Sequence, residues 1–143
     1  MNILPINYSA DVVELLDREG LPTSDIDSAN NIQLFGVNFN DVIGGLIGVE
    51  VQDSIGLLRS LVVDNQFRGK GYGQELVTFA ESWARKEGVS EFYLLTTTAD
   101  EFFQKLGYKQ VQRDQAPSFI ANTSQFSSLC PSSAIFMQKI IAE

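Results

Sequence analysis

The sequence predicts an α/β (α+β) domain: a mixed, mostly antiparallel sheet of about seven strands with helices packed on its faces. Three observations carry this expectation. Apolar runs over 32–37, 42–51 and 55–63, separated by turn-prone residues, read as three consecutive strands of an antiparallel meander. Leu76, Val77, Ala80, Trp83 and Ala84 then repeat at helical spacing. The remaining segments alternate in type, giving the order β-α-α-β-β-β-α-β-α-β-β. With 143 residues and 44% hydrophobic content, the chain is expected to be one domain over 1–143 with a sizeable core.

Taken in order, Ile3, Leu4 and Ile6 suggest a first strand, and Ser9 is placed to cap a helix whose apolar side is Val12, Val13, Leu15 and Leu16. Gly20 would stop that helix, and Pro22 and Thr23 can open a second short one through Asp25 and Ile26. The meander follows, with turns at Asn38-Phe39-Asn40-Asp41 and Gln52-Asp53-Ser54. The long helix spans about 71–87 with Gly88 as its stop, and Trp83 is read as packing against the sheet. A strand at 92–96, a short helix at 99–105 and a strand at 108–112 come next. The connection 114–133 is long for a compact domain, and 134–141 closes the chain as a last strand.

Composition removes several kinds of chemistry. Ten Lys and Arg against 18 Asp and Glu give a net charge of -8, so nonspecific nucleic-acid binding is not expected. With no histidine, Ser-His-Asp and Cys-His machinery and His-ligated zinc are absent, and a single cysteine cannot form an internal disulfide. No carboxylate cluster suggests a metal site. No charged segment precedes an apolar stretch at the amino terminus, and no apolar run approaches the ~18 residues that span a bilayer. A cytoplasmic protein without a membrane partner is therefore expected.

The densest chemical signal is Gln66-Phe67-Arg68-Gly69-Lys70-Gly71-Tyr72-Gly73, between an apolar strand and the long helix. Glycines on alternate positions let the backbone turn tightly and approach a ligand, and the unpaired amides and positive dipole end of the helix favour a pyrophosphate. Arg68 and Lys70 add positive charge. A P-loop is excluded because Lys70 is followed by Gly71, and G-x-G-x-x-G fails because counting lands on Gln74 or Leu76. A glycine turn that merely joins strand to helix is the alternative.

Gln66-x-x-Gly69-x-Gly71, directly after Leu61-Val62-Val63, resembles the acetyl-CoA pyrophosphate motif of the GCN5-related N-acetyltransferases (GNAT). The element order is similar to that fold from end to end. A second landmark of the family, N-x-x-A-x-x-x-Y followed by x-K-x-G-F/Y, corresponds to 96–108: Ala99, Lys105, Gly107 and Tyr108 match, Thr96 replaces the asparagine, and Phe103 stands where the family commonly has a tyrosine that protonates the departing thiolate. A phenyl ring cannot donate a proton. The resemblance implies acetyl-CoA as cosubstrate, held by the backbone of Leu61, Val62 and Val63, by the whole turn from Gln66 to Gly73, and by Thr96, Phe102, Phe103 and Lys105. It further implies that the strand carrying Val62 splays from the next strand at a bulge, so that its amides polarise the thioester. Many members pair, and a homodimer is consistent with this.

Glu50, in an apolar run, is the best carboxylate candidate for a general base because burial would raise its pKa, while a solvent-facing strand position is the competing reading. Asp53 and Glu91 are weaker candidates. Arg59 interrupts Leu57-Leu58-Arg59-Ser60-Leu61, where a charge needs a partner: it would either grip an acceptor carboxylate or form a structural ion pair. Cys130 is read as a packed thiol or pocket wall, since no histidine activates it. Leu58-Arg59-Ser60-Leu61, the stretch 93–99 and Gln125-Phe126-Ser127-Ser128-Leu129-Cys130-Pro131 are similar to the arsenic-resistance N-acetyltransferase branch and to short N-acetylglutamate-synthase-type enzymes. That resemblance implies a small-molecule amine acceptor, an amino acid or an analogue such as an arsenic-containing glutamate mimic, with Arg59, Thr97, Ser128 and Cys130 at its pocket. A CoA-binding module without turnover and a protein or peptide N-acetyltransferase are the alternatives.

Overall fold

The computed structural model describes residues 3–6, 9–18, 32–39, 42–123, 126 and 134–142. The helix expected around 22–26, Ser128 and Cys130 lie outside the described residues. Seven strands form one sheet in the order β1-β2-β3-β4-β5-β7-β6. They are β1 (Ile3–Ile6), β2 (Ile32–Phe39), β3 (Val42–Gln52), β4 (Ile55–Val63), β5 (Glu91–Thr96), β6 (Lys109–Gln110) and β7 (Ile135–Ile140). All neighbours are antiparallel except β4 and β5, whose parallel pairing requires the crossover helix between them.

Period-two patterning assigns each strand residue to a face. On one face, α2 (Tyr72–Lys86) buries Leu76, Val77, Ala80 and Ala84 against Phe35, Ile47, Val49 and Leu58. Trp83 packs edge-on against Phe35, 5.2 Å between centroids, as its helical spacing suggests. On the other face, α1 (Ala10–Arg18) lays Val12, Leu15 and Leu16 on Leu34, Leu46 and Val62. Ser9 caps this helix, its hydroxyl accepting from the Val12 amide at 3.4 Å. The same face holds α4 (Ser118–Ala121), whose Ile120 packs with Leu57, Tyr93 and Phe136.

Three details depart from expectation. β2 runs on through Asn38 and Phe39, because register shifts between Val37 and Asn38 let those residues keep pairing with β3. The strand expected over 108–112 shrinks to Lys109–Gln110: Tyr108 turns inward to Glu81 and only two residues pair with β7. The long connection carries a 3-10 turn at Arg113–Gln115 and the short α4, which a few apolar residues among polar ones did not signal. Of the two readings of Glu50, the buried position is the one the structure has. No helix among the described residues is long and apolar enough to cross a membrane.

Candidate active site

The sheet splits between its two central strands. β4 pairs with β5 only from Ile55↔Glu91 to Leu57↔Tyr93, after which β4 continues along β3 to Val63↔Gly45 and β5 continues along β7 to Thr96↔Ile135. Among the described residues, 58–63 therefore have no ladder partner on the β5 side. The cause is local. Leu46 faces Val62 but Gly48 faces Arg59, so Ile47 alone stands opposite Ser60 and Leu61. One extra residue on β4 makes a bulge, which bends the strand and steepens its twist. Ser60 carries it at φ 59°, in the left-handed region that side chains disfavour.

The glycine turn lies at the end of that free strand. Asp64, buried, caps the 3-10 turn Asn65–Phe67 by accepting from the Gln66 amide at 3.1 Å, and accepts from Arg18 of α1 at 2.9 Å. Arg68 straps the turn back onto β4, its Nε donating to the Val63 carbonyl at 3.0 Å, and Lys70 is exposed. Gly69 and Gly71 both have φ 81°, and a β-carbon at either would meet nothing within 4 Å, so backbone conformation and not space selects glycine. Gly71 is the N-cap of α2 and supplies no side-chain cap, leaving the first amides of that helix aimed out of the turn. The rings of Phe67 and Tyr72 pack on Phe39, at 4.2 and 5.2 Å, and the Phe67 amide donates to the Asp64 carbonyl at 2.8 Å.

Helix α3 (Asp100–Lys105) closes the other side. A ring carbon of Phe102 lies 3.5 Å from where a Gly73 β-carbon would stand, so α3 sits against the first turn of α2. Thr96 accepts from the Ala99 amide at 3.0 Å and fixes the approach to α3, while Thr97 and Lys105 are exposed. Phe103, expected at the cofactor, is buried, edge-on to both Phe102 and Tyr108. Its ring enters the core because a phenyl has no polar atom to keep in water.

Glu50 and Arg59, predicted separately, are brought together. They lie on the α1/α4 face, with Arg59 Nη1 donating to Glu50 Oε2 at 3.3 Å and side-chain exposures of 0% and 8%. Of the two readings of Arg59, the ion pair is present, and each charge offsets the other's desolvation. Gly48, opposite Arg59, leaves room for its stem. Arg59 Nε also donates to Ser60 Oγ at 3.0 Å. Sequence reasoning passed over Ser60, whose only signal was a polar residue inside an apolar run. Of the weaker carboxylates, Asp53 is exposed in the β3–β4 turn and Glu91 accepts from Gln138 at 3.1 Å. Gln138 also donates to the buried Tyr93 hydroxyl, whose pKa is raised by burial and by Glu91.

Residues 6–108 match the model of the acetyltransferase (GNAT) family. A Chlorobaculum tepidum protein named as an uncharacterized N-acetyltransferase is 41% identical over 63 residues, which cover 44% of this chain and 40% of that relative's length. Among solved structures, the Neisseria gonorrhoeae N-acetylglutamate synthase in complex with coenzyme A and N-acetyl-glutamate superposes with a TM-score of 0.77 at 16% identity, covering 100% of this chain and 36% of that one. Tetrahymena GCN5 gives 0.78 at 13% identity, covering 99% and 96% of the two chains. The ribosomal-protein-S18-alanine N-acetyltransferase of Escherichia coli gives 0.73 at 16%, covering 99% and 94%. At such identities these structures share the fold.

Proposed function

The chain belongs to the acetyltransferase (GNAT) family, in which acetyl-CoA donates an acetyl group to an amine, and from that premise we propose that it N-acetylates a small amino acid or amino-acid analogue. An arsenic-containing glutamate mimic is one acceptor of that class. The observation that carries the acceptor class is the buried guanidinium of Arg59 on β4, the strand that borders the split, held by Glu50 of β3. A planar guanidinium suits an acceptor carboxylate, which it can bind with two parallel hydrogen bonds.

In this proposal the amides of Leu61, Val62 and Val63 pair with the pantetheine arm and polarise the thioester carbonyl. The pyrophosphate rests on the turn from Gln66 to Gly73 and the free amides of α2, with Arg68 and Lys70 adding charge. Thr96, Phe102 and Lys105 flank the cofactor, Phe103 supports them from the core, and Thr97, Ser128 and Cys130 border the acceptor. The amine nitrogen forms a bond to the carbonyl carbon, the C–S bond breaks, and the proton lost by nitrogen balances the one gained by the thiol. Glu50 is the carboxylate candidate for receiving that proton.

A second reading, CoA binding without turnover, is favoured by one observation: Phe103 places no hydroxyl where the family commonly has one. Thiol release from acetyl-CoA, measured with amino acids, arsenic and phosphinic glutamate mimics and a basic peptide, separates the two. Release with an amino-acid-like acceptor is expected. Arg59→Lys keeps the charge beside Glu50 but loses the planar fork, and should raise KM for that acceptor at least tenfold. Equal rates with the peptide, or an unmoved KM, would remove the carboxylate grip; CoA binding without any thiol release would leave the binding module.

A further inference from the structure

Ser60 combines three features found together nowhere else among the described residues. It is a non-glycine residue inside a strand at positive φ, 59°. It forms the bulge where β4 runs free of β5, adjoining Leu61. Its oxygen accepts a 3.0 Å hydrogen bond from Arg59 Nε, and Arg59 is ion-paired with Glu50. A strained conformation persists where the surroundings over-determine it, and such positions cluster at working sites.

The hydroxyl chemistry follows from the Arg59 contact. A serine hydroxyl has one proton and two lone pairs. With a lone pair taken by a guanidinium, the proton is directed elsewhere, and the positive charge polarises the O–H bond and strengthens it as a donor. Glu50 fixes Arg59, Arg59 fixes Ser60, and the chain of contacts ends at the unpaired edge of the sheet.

We propose that the Ser60 hydroxyl, oriented by the buried Arg59–Glu50 pair, is a side-chain hydrogen-bond donor to the thioester carbonyl oxygen of acetyl-CoA. This rests on acetyl-CoA occupying the split. As the amine attacks, the carbonyl π pair moves onto oxygen, where Ser60 and a backbone amide of β4 together hold the developing charge. That pair re-forms the C=O bond as the C–S bond breaks, the C–S bonding pair leaves with sulfur, and the thiolate takes up the proton released by the amine. Ser60 keeps its proton throughout, so no external acid is consumed. Such a donor supplements backbone stabilisation in a site where Phe103 provides no hydroxyl.

The test uses carbonyl-labelled acetyl-CoA bound to the wild-type protein and to Ser60→Gly and Ser60→Ala, read by infrared difference spectroscopy and by thiol release. Glycine accepts positive φ without strain, so Ser60→Gly is expected to fold, with its thermal midpoint as the control. In both variants the carbonyl band should move to higher wavenumber, and kcat should fall on the order of 10²-fold with CoA affinity unchanged. A carbonyl band at the same position in wild type and both variants would overturn the assignment, whatever the rates do. If no amine yields thiol from the wild type, the acceptor proposal fails while the carbonyl band still decides Ser60.

Discussion

At residues 69 and 71 the backbone holds φ at 81° with open space around each α-carbon, whereas a β-carbon at Gly44 would strike the rings of Phe39 and Phe67. The same amino acid is therefore required for two different physical reasons. Gly71→Ala should cost about 1–2 kcal/mol through left-handed backbone strain alone and should raise KM for acetyl-CoA, because relief of the strain turns the amides away from the pyrophosphate. Gly44→Ala should cost about 1–3 kcal/mol through overpacking while shifting KM less. Denaturant midpoints and acetyl-CoA saturation curves for the two variants, compared side by side, check this. An unchanged KM in Gly71→Ala would detach the turn from the cofactor. Ser60 lies between these cases, since it bears a side chain in a conformation that glycine would hold more cheaply.

Elements are tied across the α2 face by a buried polar group. Glu81, in the middle of α2, accepts from the Tyr108 hydroxyl at 2.8 Å and from Lys139 of β7 at 3.1 Å, with Arg85 at 3.9 Å. Tyr108 touches Phe103, Phe103 touches Phe102, and Phe102 abuts Gly73 at the head of α2. The network thus seats α3 against the turn. Burial first, and the Glu81 carboxylate second, raise the Tyr108 pKa above its ordinary 10.0. The folded state holds this proton where the unfolded chain loses it, so the stabilisation is complete below pH 10.0 and is lost as the pH rises beyond it. Tyr108→Phe should cost about 1–2 kcal/mol at neutral pH, with the gap to wild type narrowing in alkaline buffer. Urea midpoints at pH 7 and at about pH 10.5 test the sign; a gap that widens would contradict it.

For the molecule as a whole, one sheet serves both stability and access. Its centre is covered on both faces by helices, yet the ladder is interrupted between β4 and β5, where a ligand can complete it. In hydrogen exchange, the segment 58–63 should gain protection when CoA is added, while β2, paired on both sides, should not change. Protection spread evenly over all strands would argue against occupancy of the split. Much of this was legible in the chain. Strand and helix order follows from apolar periodicity, and the tight turn before α2 follows from glycine spacing, because both depend on residues near one another in sequence. The failures are equally physical. Tyr108 leaves its expected strand for a carboxylate 27 positions away, and α4 is too short to show a period. Glu50 and Arg59 each stand out as charges in apolar runs, but their pairing depends on the register between β3 and β4. The sequence by itself determined the family, the fold class and the glycine turn between β4 and α2, since local patterning encodes them. Only the tertiary structure decided that Glu50 is buried against Arg59, that Phe103 enters the core and that Ser60 sits strained at the split, because each depends on one strand being a residue longer than its neighbour at a bulge or on packing between distant elements.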